Sequence, residues 1–212
     1  MLSMAETPVT VVLLVLNIGA SAYALFGEPG LMDRLALRPQ RIFETGEWQR
    51  FITAGFVHVG MGHLAVNMIT LYFFGPLLER ILGFGSYLVL YFGSMIAAHA
   101  LSYVTHRDDP YYSAVGASGA ISGIVFAFCL FFPFQKLYLM FAIPIPAILF
   151  AVGYVAGSIY AMRESQQDRL TGSGGGGGIA HEAHLGGALA GVLLTIILEP
   201  RSLQAFVDAL GF

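Results

Sequence analysis

The sequence contains little charge and almost no cysteine. Only 11% of its 212 residues are charged, and Cys129 is its single cysteine. One cysteine excludes an intrachain disulfide. The net charge of −3 lacks the basic excess typical of nucleic-acid-binding domains, so no nucleic-acid partner is expected. The first ten residues, MLSMAETPVT, contain no lysine or arginine, so we expect the apolar run that follows to be a retained span and not a cleaved signal peptide.

Apolar residues, by contrast, are abundant and make up 57% of the chain. A soluble domain of this length could not bury so many and still keep a wettable exterior. The charged residues leave uncharged runs at 7–27, 51–78, 81–106, 110–135, 137–162 and 183–198. All but the last exceed the roughly 20 residues that a helix needs to cross a bilayer.

These runs predict an all-α membrane protein, a six-transmembrane-helix bundle that forms one polytopic domain over residues 1–212. The predicted spans are 8–26, 56–78, 84–104, 115–134, 138–161 and 180–198. Pro144 and Pro146 are expected to kink span 5, because proline removes a helix hydrogen bond.

Two polar connections separate these spans. Residues 27–50 mix Trp48 with several arginines, which predicts a loop at the membrane interface. Residues 163–179 include the glycine run 174–178 and are predicted to form a flexible loop.

Unusual polar residues cluster where the even-numbered spans begin. They are His58, His63 and Asn67 in span 2, Ser118 in span 4, and His181, Glu182 and His184 in span 6. All even-numbered spans start on the same side of the membrane, and polar groups at membrane depth usually face a protein interior or a wet cavity. The sequence therefore predicts one shared site.

The glycines indicate which helices touch. Spans 4 and 6 each carry glycines four residues apart, Gly119 and Gly123 in one and Gly187 and Gly191 in the other. Such small faces let helix backbones approach closely in lipid. Packing through them would bring Ser118 and His184 to the same height, where an imidazole can activate a hydroxyl as a nucleophile.

An acyl-transfer site also needs donors for the oxyanion. His63 and Asn67 are four residues apart and project from one helical face. Ser118 is expected in the first turn of its helix, where backbone N–H groups lack intrahelical partners. These groups predict an oxyanion hole.

Each element also has an ordinary structural interpretation. Gly-x-Ser-Gly occurs by chance in glycine-rich chains, glycine faces are common in membrane packing, and Asn67 could join two helices by a hydrogen bond. His99 and His106 are expected to be structural or exposed, and Glu79 to bind backbone or loop groups. The joint arrangement carries the functional prediction.

At these residues the sequence resembles the rhomboid family of intramembrane serine proteases, along nearly its whole length. HVGMGHLAVN is similar to the family's histidine–asparagine signature, and GPLLER followed by ILG to its Gly-xxx-Glu-xxx-Gly stretch. GASGAISG resembles the nucleophile motif and AHLGGALAG the sixth-helix histidine motif. IPIPA at 143–147 looks like many bacterial members.

The resemblance implies a rhomboid-like bundle with Ser118 as nucleophile and His184 as general base and then acid. His63, Asn67 and the Ser118 N–H would hold the oxyanion. The implied substrates are transmembrane segments of other proteins in the lipid bilayer, with no cofactor and no metal. The implied location is the bacterial plasma membrane, with the N-terminus in the cytoplasm.

Some residues depart from the family's pattern. Gln49 stands where a tryptophan is expected, and Trp48 lies one position earlier. Ser122 occupies the position, four after the nucleophile, where the family often has an aromatic residue that stacks on the catalytic histidine. Glu182 is two residues from His184 and should point elsewhere on the helix, so a Ser–His dyad is expected and not a triad.

The charges do not agree with the implied orientation. With the N-terminus inside, the cytoplasmic segments would hold Arg80, Lys136 and Arg201, and the opposite side would hold the other basic residues. Cytoplasmic loops usually carry the excess of lysine and arginine.

Three other functions are compatible with parts of this pattern. A catalytically inactive rhomboid-like protein that binds membrane clients should lack the serine or the histidine, and both are present. A proton-coupled transporter should show inverted repeats with broken helices. A metalloprotease would need H-E-x-x-H, whereas HEAH spaces its histidines at i and i+3.

Overall fold

The computed structural model is a mostly helical bundle with one β-hairpin, described for residues 6–139, 142–171 and 180–211. The helices are α1 Pro8–Ala22, α2 Leu31–Leu35, α3 Pro39–Thr45, α4 Arg50–Thr53, α5 Met61–His106, α6 Ser118–Phe131, α7 Ala147–Thr171, α8 His181–Leu198 and α9 Arg201–Ala209. A π-helical turn, Tyr23–Gly27, extends α1, and a 3₁₀ turn, Ala54–Phe56, follows α4. The hairpin strands are β1 Lys136–Leu139 and β2 Ile143–Pro146.

Three helices in the described part of the chain are long and apolar enough to cross a membrane: Pro8–Gly27, Met61–His106 and His181–Leu198. The longest, α5, has 46 residues and is broken at Gly83, whose φ of 75° is left-handed and suits glycine. The break separates the regions predicted as spans 2 and 3.

The central helix of the bundle is α6. Every residue from Gly119 to Leu130 is buried, and α5 and α8 pack against it. With 14 residues it is shorter than the predicted span 115–134. Neighbouring helices surround α6, and non-helical backbone is tolerated at membrane depth where protein covers it.

The predicted start of span 5 at residue 138 is wrong. Pro144 and Pro146 do not kink a helix but lie in β2, which pairs antiparallel with β1 from Lys136↔Pro146 to Leu139↔Ile143. A two-stranded ribbon tolerates proline because each strand has a free edge. Helix α7 begins at Ala147, after the last proline.

The other end of α7 also differs from the prediction. The helix continues to Thr171, so residues 163–171 of the predicted glycine-rich loop are helical. The glycine run 174–178 lies outside the described residues.

Buried polar side chains join the ends of helices. The Glu79 carboxylate accepts hydrogen bonds from the backbone N–H groups of Val9 (2.9 Å) and Thr10 (2.8 Å) and from the Thr10 hydroxyl (2.7 Å). It thereby caps the first turn of α1, where N–H groups lack intrahelical partners. The prediction that Glu79 binds backbone groups is confirmed.

Hydrogen bonds from buried polar side chains also hold the segment before α5. The Arg50 guanidinium is buried and donates to the carbonyl oxygens of Ala36 (2.6 Å) and Asp33 (3.1 Å). His99 is buried, with Nδ1 2.7 Å from the Phe51 carbonyl oxygen, and therefore has the structural role expected for it. Trp48, by contrast, is largely exposed.

The predicted packing of the glycine faces is confirmed. A Cβ added at Gly187 would lie 2.0 Å from the Gly119 carbonyl oxygen, and one at Gly191 would lie 2.4 Å from the Gly123 Cα. Real Cβ atoms do not approach backbone so closely. Helices α6 and α8 are therefore in backbone contact along two turns, and only glycine fits there.

We expect Gly187→Ala to lower the free energy of unfolding by about 1–3 kcal/mol, the usual cost of overpacking. The new methyl group would force the α6 and α8 backbones apart. Gly153→Ala on α7 is the matched control, because within the described residues nothing lies within 4 Å of a Cβ at that position. Thermal unfolding in detergent compares the two proteins. A Gly187→Ala protein as stable as the wild type would contradict this packing.

Candidate active site

The glycine contact brings Ser118 and His184 together. The two residues belong to the first turns of α6 and α8, each just before the glycines that touch. The distance from Ser118 Oγ to His184 Nε2 is 2.8 Å, within hydrogen-bond range. Both side chains are partly buried. In this geometry the imidazole can accept the hydroxyl proton.

His58 supports the loop that leads into α6. Its Nε2 accepts a hydrogen bond from the Ala117 N–H at 3.3 Å, so its Nδ1 carries the proton and donates to Ser21 Oγ at 2.8 Å. The Ser21 hydroxyl donates in turn to the Phe56 carbonyl oxygen. The sequence predicted His58 near the site but indicated no role for it. The structure shows that it fixes the residue before Ser118.

His63 packs against the same loop. A Cβ at Gly116 would lie 2.5 Å from its Cε1, and Gly116 has a φ of 126°, so this position requires glycine for both space and conformation. The rings of His58 and His63 meet edge to face with centroids 5.0 Å apart. His63 Nδ1 is buried and has no hydrogen-bond partner among the described residues.

Asn67 lies one turn beyond His63, on the face that sequence spacing predicted. Its side chain is buried, and its amide donates to the His63 carbonyl oxygen at 2.9 Å. In this conformation the amide is therefore engaged within its own helix, while the His63 ring lies beside the residues that precede Ser118.

The structure provides an aromatic partner for His184 that sequence analysis missed. The Tyr154 ring, from α7, is stacked on His184 with centroids 6.1 Å apart and planes 28° apart. The Tyr154 hydroxyl lies 2.7 Å from Ser122 Oγ. Nothing in the spacing of span 5 distinguishes Tyr154 from the other tyrosines, so sequence offered no signal for this contact.

Glu182 points away from His184, as predicted. Its Oε1 accepts hydrogen bonds from the Tyr112 hydroxyl (2.7 Å), His106 Nε2 (3.0 Å) and the Ser102 hydroxyl (3.3 Å). All four side chains are buried or partly buried, so the carboxylate ties the first turn of α8 to the end of α5. His106 is structural.

The polar side chains of the HEAH segment do not point toward one common site. Glu182 contacts α5 and its following loop, and His184 contacts Ser118 on α6. The His181 ring meets the His184 ring edge to face, with centroids 6.3 Å apart. The described part of the chain contains no group of three or more His, Cys, Asp or Glu residues that could hold a metal ion.

Comparison with known proteins gives a consistent set of relatives. RHOMBOID-like protein 12, mitochondrial, of Arabidopsis thaliana is 28% identical over 201 residues, which cover 87% of this chain and 56% of that protein. Rhomboid protein 1, mitochondrial, of Saccharomyces cerevisiae is 33% identical over 150 residues, covering 67% of this chain and 39% of that protein. Rhomboid protease GluP of Bacillus subtilis is 42% identical over 78 residues, covering 37% of this chain and 15% of that protein.

The matched part is thus little more than half of the Arabidopsis protein and less of the other two. A family model described as the Rhomboid domain matches residues 45–201, a range that includes Ser118 and His184. Because this model matches well over half of the chain, the protein belongs to the rhomboid family of integral membrane proteins.

Proposed function

We propose that this protein is an intramembrane serine protease that hydrolyses a peptide bond in or near the transmembrane segment of other membrane proteins. The observation that carries the proposal is the 2.8 Å distance from Ser118 Oγ to His184 Nε2, on two helices in backbone contact. Family membership supports it, since relatives such as GluP are named proteases.

In the proposed reaction His184 Nε2 removes the Ser118 hydroxyl proton as Oγ attacks the substrate carbonyl carbon. The tetrahedral intermediate collapses to an acyl-enzyme, and the imidazolium gives its proton to the leaving amine. A water molecule then attacks the ester carbon, with His184 again as base, and releases the new carboxyl end and Ser118.

The Ser118 N–H and the side chains of His63 and Asn67 are proposed to hold the oxyanion. The first turn of α6 offers free N–H groups and the positive end of the helix dipole. The contact between His63 and Gly116 supports this role, because it places the imidazole next to the loop that precedes Ser118. The Asn67 amide would have to leave the His63 carbonyl to reach the oxyanion.

The proposed topology has six spans. Helices α1, α6, α7 and α8 would each form one span. Helix α5 would form two, one on each side of Gly83. We place the N-terminus in the cytoplasm and the host membrane in a bacterium. Named relatives come from both Bacillus and mitochondria, so cell fractionation of the native host tests the location.

A substrate helix hides its carbonyl groups in its own hydrogen bonds. Hydrolysis therefore requires the substrate segment to unwind locally at the site. Helix-destabilising residues such as glycine or proline near the cleaved bond should favour cleavage.

The alternative is a catalytically inactive member that binds membrane clients. This alternative is supported by relatives whose names say rhomboid-like and not protease. It predicts binding of transmembrane segments without cleavage, so the same purified protein and substrate decide between the two.

Ser118→Ala and His184→Ala are each expected to reduce cleavage of a transmembrane substrate in detergent by at least about a thousandfold, as in other serine hydrolases. The thermal unfolding temperature should not change. Ser113→Ala is the matched control, because Ser113 is exposed in the loop before α6. Cleavage by purified Ser118→Ala at the wild-type rate would exclude the mechanism.

Removing one oxyanion donor should lower kcat by about 100- to 1000-fold with little change in KM, because the donor acts in the transition state. We expect this for His63→Ala and Asn67→Ala. Thr70→Ala is the control for Asn67→Ala, since Thr70 also bonds the carbonyl four residues back in α5. Steady-state kinetics in which both donor variants keep the wild-type kcat would remove these residues from the site.

A further inference from the structure

Tyr154 of α7 provides the aromatic contact to His184 that position 122 of α6 does not provide. Ser122, one turn after Ser118, stands where an aromatic side chain was expected to stack on His184. The structure places the Tyr154 ring on His184 from α7 and joins its hydroxyl to Ser122 Oγ at 2.7 Å. A serine at position 122 leaves room for the ring and also holds it.

The Tyr154 ring is fixed on several sides. Phe126 of α6 contacts it edge to face with centroids 5.5 Å apart, and Phe150 lies one turn earlier on α7 with centroids 5.6 Å apart. The hydrogen bond to Ser122, which is buried, fixes the far end of the ring. These contacts hold the ring where it stacks on the imidazole.

We propose that Tyr154 is a positioning residue that holds the His184 imidazole in the orientation in which Nε2 faces Ser118 Oγ. The inference rests on the proposed protease function and extends it to a third helix. Ser122 acts through Tyr154, by fixing its hydroxyl.

The physical reason is the freedom of the histidine side chain. The His184 ring can turn about two side-chain bonds, and stacking on one face restricts both. The face of an aromatic ring also attracts a cation, so the same contact favours the imidazolium that forms during the reaction. Within the part of the chain that the structure describes, His181 also contacts His184, edge to face, but it lies in the same turn of α8.

The ring comes from a helix at the periphery of the bundle. Leu149, Val152 and Tyr160 of α7 are mostly exposed, with 61%, 64% and 69% of their surface accessible. Ser118 and His184 lie on the tightly packed helices α6 and α8, and the ring that stacks on His184 comes from α7.

The test measures kcat and KM for cleavage of a transmembrane peptide by the purified full chain in detergent. Tyr154→Ala should lower kcat about 10- to 100-fold, the effect of a misplaced catalytic group, and leave KM within about twofold. Tyr154→Phe keeps the ring and should retain at least about a third of the wild-type kcat. Tyr160→Ala, an exposed tyrosine on the same helix, is the matched control.

A rescue experiment separates orientation of His184 from packing of α7. Ser122→Phe introduces a ring on α6, one turn after Ser118, and should restore most of the lost kcat when combined with Tyr154→Ala. A double variant no better than Tyr154→Ala would assign the loss to α7 packing and overturn the proposal.

Two further results would also overturn it. Tyr154→Ala could keep the wild-type kcat, or it could raise KM alone, which would make Tyr154 a substrate contact. Failure of the proposed function looks different, because then the wild type would not cleave or Ser118→Ala would cleave equally well. If the protease function fails in this way, the positioning role of Tyr154 is also excluded.

Discussion

The structure depends on the backbone contact between α6 and α8. Gly119 and Gly123 face Gly187 and Gly191 with no room for a side chain at Gly187 or Gly191. In lipid there is little hydrophobic force between helices, so close packing of small residues must supply the association. This contact fixes the relative height of the two helices, and their first turns then bring Ser118 within 2.8 Å of His184. The proposed chemistry is thus a consequence of packing.

Buried polar groups hold the helix ends around this contact. Arg50 donates to the Asp33 and Ala36 carbonyl oxygens at the end of α2, and Glu182 joins α8 to the end of α5. Unpaired polar groups are costly away from water, and each of these side chains has hydrogen-bond partners. His58 does the same for the loop before Ser118. The site is therefore supported by polar contacts on the side where α6 and α8 begin.

Helical periodicity predicted much of this arrangement. Residues four apart share a helix face, so the glycine contact, the common face of His63 and Asn67, and the separate direction of Glu182 all followed from spacing. Hydropathy could not locate the start of α7, because an apolar stretch such as IPIPA satisfies a buried strand as well as a helix. Spacing also gave no signal for the contact between α7 and α8. The stacking of Tyr154 on His184 depends on how α7 lies against α8, which spacing within one helix does not determine.

The proposed mechanism requires that His184 activates Ser118 as a nucleophile. A fluorophosphonate probe, followed by mass spectrometry of the modified peptide, tests it most directly because the probe reacts with activated serine hydroxyls. We expect modification of Ser118 in the wild-type protein and its loss in a folded His184→Ala variant. Equal modification of Ser118 in both proteins, or no modification of Ser118 in the wild type, would contradict it.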